Sequence, residues 1–345
     1  MDSAKKIIYL GNHTKKTLAD IENKRIPSNG IYGLDKIAKS SDFDLEIVNF
    51  NEIHSGKAKY FRSIIELFYS KQIVFSTQLV NELLLRKIFV DAKAKWLHYN
   101  LNLSYVLNKN KNNFAKKSLI INKLKNTDLI ACLTESQKEL LMQYGLPEKK
   151  LVVVHFGVDN EFYQKSEKDK GYIFSVGRDM GRDYQTLIEF AKNIKEKLII
   201  LAAPRNMENI KDIPENVEVH FNLSYLKMRE FYESAKMIII PSKREDYIGS
   251  EPISDCSGQT VVLEAMACGK PVITSERSWL HDYGLADSIA IYKAEDADDL
   301  LAKYNLLINN REKQNELSLK ARKIIDEKYN TAKMVDGFKQ LFKNI

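Results

Sequence analysis

One stretch holds most of the chain's recognisable chemistry: Asp255-Cys256-Ser257-Gly258-Gln259-Thr260-Val261-Val262-Leu263-Glu264-Ala265-Met266-Ala267-Cys268-Gly269-Lys270-Pro271. Ser257 reads as an N-cap, Gly269 as the left-handed residue past the last turn and Pro271 as a stop. A short helix is therefore predicted from about Gly258 to Cys268. The first-turn N–H groups of a helix have no partner within it. With the positive end of the helix dipole they form an anion site suited to a diphosphate. Ser257, Gly258, Gln259 and Thr260 would present those amides, and Gly258 lets a ligand approach the backbone. Glu264 falls four residues past Thr260, on the same face and about 6 Å further along the axis. A carboxylate there can accept hydrogen bonds from both hydroxyls of a ribose. The competing reading leaves Glu264 as a cap or an ion-pair partner.

Other chemistries find less support. GxGxxG, GxxxxGK[ST] and GxSxG are all absent, which lowers dehydrogenase, P-loop and α/β-hydrolase readings. The six histidines are scattered, and Asp42-Phe43-Asp44 reads as a turn without companion ligands, so no metal site is expected. Cys132, Cys256 and Cys268 are an odd number without CxxC spacing, which predicts reduced thiols and neither disulfides nor structural zinc.

The 345 residues call for about two domains. An apolar share of 44% and a charged share of 29% are those of a globular chain. No run of about 18 uncharged apolar residues occurs, and the amino end lacks the apolar core of a signal peptide, so a cytoplasmic protein is expected. Fifty-three Lys and Arg against 46 Asp and Glu give +7. Between Asn81 and Lys125, ten cations face only Glu82 and Asp91, so this stretch exceeds the whole chain's excess. Such a patch can meet nucleic acid, an anionic membrane or a phosphorylated substrate, or can simply be solvated. Phe114, Leu119, Ile120, Ile121 and Leu124 interleave with Lys116, Lys117, Lys123 and Lys125, as in a basic amphipathic helix, although core packing explains the apolar positions equally well.

Short β-branched runs alternate with helical patterns throughout. Strands are predicted at 6–10, 45–50, 73–76, 95–98, 129–134 and 151–155, then at 172–176, 198–202, 217–221, 237–241, 271–274 and 289–292. Two sets of six imply an α/β protein with two doubly wound parallel sheets, Rossmann-like, facing across a cleft. The polar run Gln164–Lys170 reads as a linker. The domains are thus placed at 1–165 and 166–325, with a helix over 326–345 packing back on the first.

From Gly171 to Asp282 the chain resembles the nucleotide-binding domain of retaining GT-B glycosyltransferases of family 4, the glycosyl transferases group 1. The LEAMACGKPVI helix after a glycine-containing loop carries the likeness, with Ser175-Val176-Gly177-Arg178-Asp179, Phe221-Asn222-Leu223 and Ile239-Ile240-Pro241-Ser242 at strand ends. The resemblance implies that Gly177, Asn222 and Leu223 line the donor site. It also implies that Arg178 holds the donor's diphosphate, with Arg182 in the place of the usual Lys. It makes Glu264 part of the catalytic set and adds His98, at the end of a strand where the family often presents a histidine. Gly30 and Gly33 are placed like the family's loop that meets the diphosphate. One departure matters: the family's usual Glu eight positions before Glu264 is Cys256 here, so the sugar must be held otherwise, by Asp255, Glu251 or backbone amides.

The function expected is transfer of a sugar from a UDP- or GDP-type donor to a hydroxyl of a glycan or lipid-linked acceptor, in bacterial polysaccharide or glycoconjugate assembly. Retention at the anomeric carbon and no metal or other cofactor are implied by the resemblance. Residues 86–125 could bring the protein to the inner face of an anionic membrane, and no nucleic-acid partner is expected. Two alternatives remain: a nucleotide-sugar epimerase, and a non-catalytic nucleotide-sugar-binding partner subunit.

Overall fold

The computed structural model describes residues 4–13, 15–49, 65, 67–86, 92–245 and 255–345, apart from the side chains of 104 and 108. Its contacts divide the chain into two units. One comprises Met1–Lys24, Ser28–Phe156 and Ala332–Ile345, the other Arg25–Pro27 and Gly157–Thr331. The polar run Gln164–Lys170 lies wholly inside the second unit.

In the first unit the strands are β1 (Lys5–Gly11), β2 (Phe43–Asn49), β3 (Ile73–Ser76), β4 (Lys95–Asn100), β5 (Leu129–Cys132) and β6 (Leu151–Val153). They form one parallel sheet in the order β2-β1-β3-β4-β5-β6. β3 is buried at every position, as a central strand covered on both faces must be. One side of the sheet packs Ile8, Leu10, Val74 and Trp96 with Leu67, Phe68 and Leu83. The helix Thr331–Asn344, from its second residue on, belongs to this unit, where Phe338 lies 4.9 Å from both Phe75 and Tyr99, ring centre to ring centre. The Lys5 ammonium donates to the carbonyls of Phe342 and Lys343 near that helix's last turn.

The basic helix Phe114–Lys125 is capped by Asn113, whose side chain accepts the Lys116 N–H. Ile120, Ile121 and Leu124 pack into a core cluster with Leu103, Leu107, Ile130 and Leu141. Phe114 is 80% exposed and Leu119 is exposed too. Two of its lysines are held by the unit itself: Lys117 lies over the Tyr144 ring, and Lys123 donates to Asn81 Oδ1 at 2.7 Å.

The second unit holds β7 (Ile173–Gly177), β8 (Leu198–Ala202), β9 (Val217–Phe221), β10 (Met237–Ile240), β11 (Val272–Ser275) and β12 (Ala290–Tyr292), in the order β12-β11-β10-β7-β8-β9. All pairs are parallel. Numbered within the unit this is the doubly wound order 3-2-1-4-5-6, whose direction reverses between β7 and β10, and ligands of such sheets sit beyond the strand ends at that reversal. The Met-Ile-Ile-Ile of β10 is wholly buried at the centre of the sheet. Every predicted strand is present, most within two residues of its expected ends.

Candidate functional site

The chain leaves β7 at Gly177 and β10 at Ile240, and the two exits are tied together beyond the sheet. Arg182 and Ser242 form an isolated antiparallel bridge, and Asp183 N–H donates to the Pro241 carbonyl. Asp183 also caps the helix Tyr184–Ala191 by accepting the Thr186 N–H. The next segment from β10 to be described leads into the helix Gln259–Ala267.

That helix starts differently from the sequence expectation. Gly258, at φ +88°, is its N-cap and no side chain caps it. Ser257 instead donates its hydroxyl to Asp179 Oδ1 at 2.6 Å, while its carbonyl accepts the Trp279 indole N–H at 3.2 Å. The helix starts one residue later than expected, so Ser257 is not at the N-cap position and its hydroxyl accepts no first-turn N–H among the described residues. The consequence favours the predicted chemistry. With no side-chain oxygen over the first turn, the N–H groups of Gly258, Thr260 and Val261 make no backbone hydrogen bond among the described residues. The Gln259 N–H is spent on the Cys256 carbonyl at 3.1 Å. The far end closes as expected: Gly269 is left-handed, its N–H donates to Met266 and that of Lys270 to Ala265, which is the paired closure of a Schellman turn.

A cavity of about 350 Å³ opens over this first turn. It gathers the expected Gly177, Arg178, Arg182, Leu223, Cys256, Ser257, Gly258, Gln259, Thr260 and Glu264. Asn222, exposed and left-handed at φ +54°, adjoins Leu223 but is outside the lining. Val176, Asp179, Tyr225, Met228 and Val261 complete the wall. Of these, Tyr225 and Met228 were not singled out in the sequence. The only local signal for them is that the helix Tyr225–Ser234 begins three residues after Asn222.

The two arginines differ sharply. Arg178 is exposed on the cavity, and its guanidinium has no ion pair among the described residues. Arg182 is only 5% exposed. Its guanidinium meets Asp179 Oδ2 at 3.0 Å and donates to Ser242 Oγ at 3.1 Å. Two glycines make room for it: a Cβ on Gly177 would fall 1.7 Å from Arg182 Nε, and one on Gly258 3.0 Å from Nη1. Burial alone would raise the Asp179 carboxyl, yet Arg182, the Ser257 hydroxyl and the Gly181 N–H together hold it below the usual carboxylate value. Arg182 thus fastens the turn after β7 to the exit of β10, while Arg178 stays exposed at the cavity.

Glu264 is 3% exposed and its Oε2 accepts the Tyr232 hydroxyl at 3.1 Å. Burial, with Glu264 close by, raises the Tyr163 and Tyr232 phenols well above their ordinary value, so both remain donors. Gln259, also 3% exposed, has its Nε2 without a hydrogen-bond partner among the described residues, an unmet donor on the cavity wall. Burial and Asp255 raise the Cys256 thiol well above its ordinary value, so it stays protonated. Asp255 Oδ1 accepts the Cys256 N–H, and the buried Arg277 donates to the carbonyls of Asp255 and Lys243. Glu251 lies outside the described residues.

The remaining candidates lie in the first unit. Gly30 is in a short 3-10 turn, Ser28–Ile31, and Gly33, at φ +72°, is the N-cap of the helix Leu34–Ala38. The turn is closed by Gly33 N–H on the Ser28 carbonyl and by the Ser28 hydroxyl on Asp35. His98 is buried in β4 with Nδ1 lacking a partner among the described residues. Burial pushes its pKa down to about 4, so the ring is neutral at pH 7. No group of three or more His, Cys, Asp or Glu stands together as a metal set among the described residues.

Residues 159–324, just under half of the chain, match the family described as glycosyl transferases group 1. A lipopolysaccharide 1,2-N-acetylglucosaminetransferase of Salmonella typhimurium is 26% identical over 120 residues, which are 34% of this chain but only 29% of that relative. Solved structures are similar over nearly all of the chain. Anabaena HepE, in complex with UDP and glucose, has a TM-score of 0.71 at 12% identity, over 99% of this chain and 100% of that one. A sucrose-phosphate synthase from Thermosynechococcus elongatus has 0.70 at 14%, over the same shares. The chain thus has the GT-B fold of these structures, and its residues 159–324 match the glycosyl transferases group 1 model.

Proposed function

We propose that this protein transfers a sugar from a nucleoside diphosphate sugar, of UDP or GDP type, to an acceptor hydroxyl with retention at the anomeric carbon, in the manner of glycosyltransferase family 4. The observation that carries the reading is the open first turn of the helix Gln259–Ala267, where the amides of Gly258, Thr260 and Val261 make no backbone hydrogen bond among the described residues and Arg178 lies beside them over one cavity. The diphosphate sits on the N–H groups of Gly258, Thr260 and Val261, with Gln259 Nε2 supplying a further donor. Glu264, held by Tyr232, accepts the ribose hydroxyls. Leu223, Tyr225 and Met228 form the apolar side, suited to a base.

As the anomeric C–O bond breaks, charge grows on the departing diphosphate. The fixed amides and Arg178 stabilise that state more than the ground state. The acceptor oxygen bonds to the anomeric carbon from the same face, and its proton passes to the departing phosphate oxygen. That scheme calls for no metal. His98, neutral at pH 7, serves as a hydrogen-bonding group rather than an acid. With Cys256 in place of a carboxylate, Asp255 or the loop amides hold the sugar.

A role in polysaccharide or glycoconjugate assembly, with a glycan or lipid-linked acceptor, is supported by the lipopolysaccharide-related name of the Salmonella relative. Among the described residues no helix is long and apolar enough to cross a membrane. Contact with an anionic inner membrane surface would fall to exposed residues of the described part of 86–125, among them Phe114, Lys116 and Leu119.

The test is a panel of nucleotide sugars scored by thermal shift, followed by transfer assays with the stabilising donor. A ligand that binds only the folded state raises its apparent stability. Stabilisation by one UDP- or GDP-sugar and transfer to a glycan acceptor is the expected result. Binding without transfer to any acceptor favours a partner subunit, and isomerised sugar without acceptor favours an epimerase. Either outcome overturns the transfer reading.

A further inference from the structure

The second unit contains another cavity, of about 270 Å³, that shares no lining residue with the first. It is walled by Lys165–Asp169, by Ala235 and Lys236 ahead of β10, by Gly269–Pro271 ahead of β11, and by the first turns of the helix Arg311–Glu327. It therefore lies at the strand-entry end of the sheet, whereas the first cavity lies beyond the strand exits. The helix Gln259–Ala267 connects them: its start lines one and the residues just past its end line the other. Nine residues at 1.5 Å each make that helix about 13 Å long.

The lining is unbalanced in charge. Five cations, Lys165, Lys168, Lys236, Lys270 and Arg311, face Glu167 and Asp169. Lys165 pairs with Glu167 at 3.2 Å and Arg311 with Asp169 at 3.6 Å. Lys168 reaches Glu233, beyond the lining, at 3.8 Å. That leaves Lys236 and Lys270 without a carboxylate within salt-bridge distance among the described residues.

Lys270 is the telling residue. It is 4% exposed, and its ammonium donates to one neutral acceptor, the Lys168 carbonyl, at 2.6 Å. A buried ammonium is costly unless an anion accompanies it. Asp169 and Glu233 act on it only at a distance, and Arg311 opposes them. Opposite it, the buried Gln314 spends its amide on the carbonyls of Leu307 and Ile308, which fixes that wall.

We propose that this cavity binds a small phosphorylated anion, of the size of pyrophosphate or a hexose phosphate, between Lys270 and Lys236. Charge-assisted contact to two ammonium groups supplies the affinity. The site is separate from the donor cavity and does not depend on its assignment.

Calorimetric titration of the full chain with inorganic pyrophosphate, and separately with glucose 6-phosphate, tests this. The variants are Lys236→Glu, Lys270→Met and, as a control on the other cavity, Arg178→Glu. Lys236 is only half-buried, so Lys236→Glu remains informative if Lys270→Met does not fold. The expected result is saturable binding that Lys236→Glu weakens about tenfold or more and Arg178→Glu leaves in place. Tighter binding of glucose 6-phosphate would show that the sugar is recognised, tighter binding of pyrophosphate that the phosphates alone are; either supports the site. No saturable binding, or binding that Lys236→Glu leaves unchanged, overturns it. Loss of pyrophosphate binding in Arg178→Glu alone would assign the anion to the donor cavity and also overturn it.

Discussion

Two arginines four residues apart carry different duties because one is solvated and the other is not. Arg178 faces the cavity with its charge uncommitted, while Arg182 is spent on Asp179 and Ser242. Arg178→Ala is expected to lower transfer by about 100-fold, the usual cost of removing one group that stabilises developing charge. Steady-state kinetics with the identified donor measure it. Arg182 acts by fit. Gly177→Ala places a methyl carbon against its Nε, so the guanidinium must shift, at a cost of about 2 kcal/mol typical of overpacking. In an Arg182→Ala background the same change is expected to cost under about 1 kcal/mol, since the clash is gone. Equal costs in both backgrounds, read from urea unfolding, would contradict the fit. The sequence identified both arginines, but burial separates their roles, and burial depends on neighbours from three other segments.

Elements were more legible than residues. Buried aliphatic runs such as Leu198–Ala202 announce themselves by composition, and the alternating, only partly buried Val217–Phe221 also falls where the pattern places it. The end of the helix Gln259–Ala267 was legible too, because glycine and proline act locally. Its start was not: Ser257 turned to Asp179, a partner that no local pattern reveals. Tyr225 and Met228 escaped notice for the same reason, since their value comes from the cavity they face. Within β4, burial keeps His98 neutral, which has a measurable consequence. Its pKa falls from 6.5 unfolded to about 4 folded, so the unfolded chain binds the extra proton between those values. The resulting contribution to stability is complete above pH 6.5 and is lost as pH falls toward 4, with an upper bound of about 3 kcal/mol. His98→Asn is expected to lose less stability than the parent between pH 7 and pH 4.5, by denaturant unfolding at each pH. Equal losses would show that His98 titrates normally.

For the molecule as a whole, charge was legible and its use was not. The excess of cations between Asn81 and Lys125 is plain in the sequence, yet Lys117 and Lys123 are engaged within their own unit, and Ile120, Ile121 and Leu124 are core. Phe114, Lys116 and Leu119 face outward, and Lys111 and Lys125 are exposed beside them. Binding to anionic vesicles is therefore expected to fall with Phe114→Ser combined with Lys116→Glu, while donor binding is kept. Lys123→Gln should act mainly on stability. Unchanged vesicle binding in the double variant would remove the membrane proposal. The second basic cavity had no sequence signature, because its walls come from four separated segments that only the fold assembles.

Catalysis by this protein depends on where a nucleoside diphosphate binds. A crystal structure of the protein soaked with UDP or GDP tests this most directly. The diphosphate should lie on the N–H groups of Thr260 and Val261 with Arg178 beside it, and the ribose hydroxyls should reach Glu264. A nucleotide found away from the first turn of that helix, or no bound nucleotide at saturating concentration, would contradict the account.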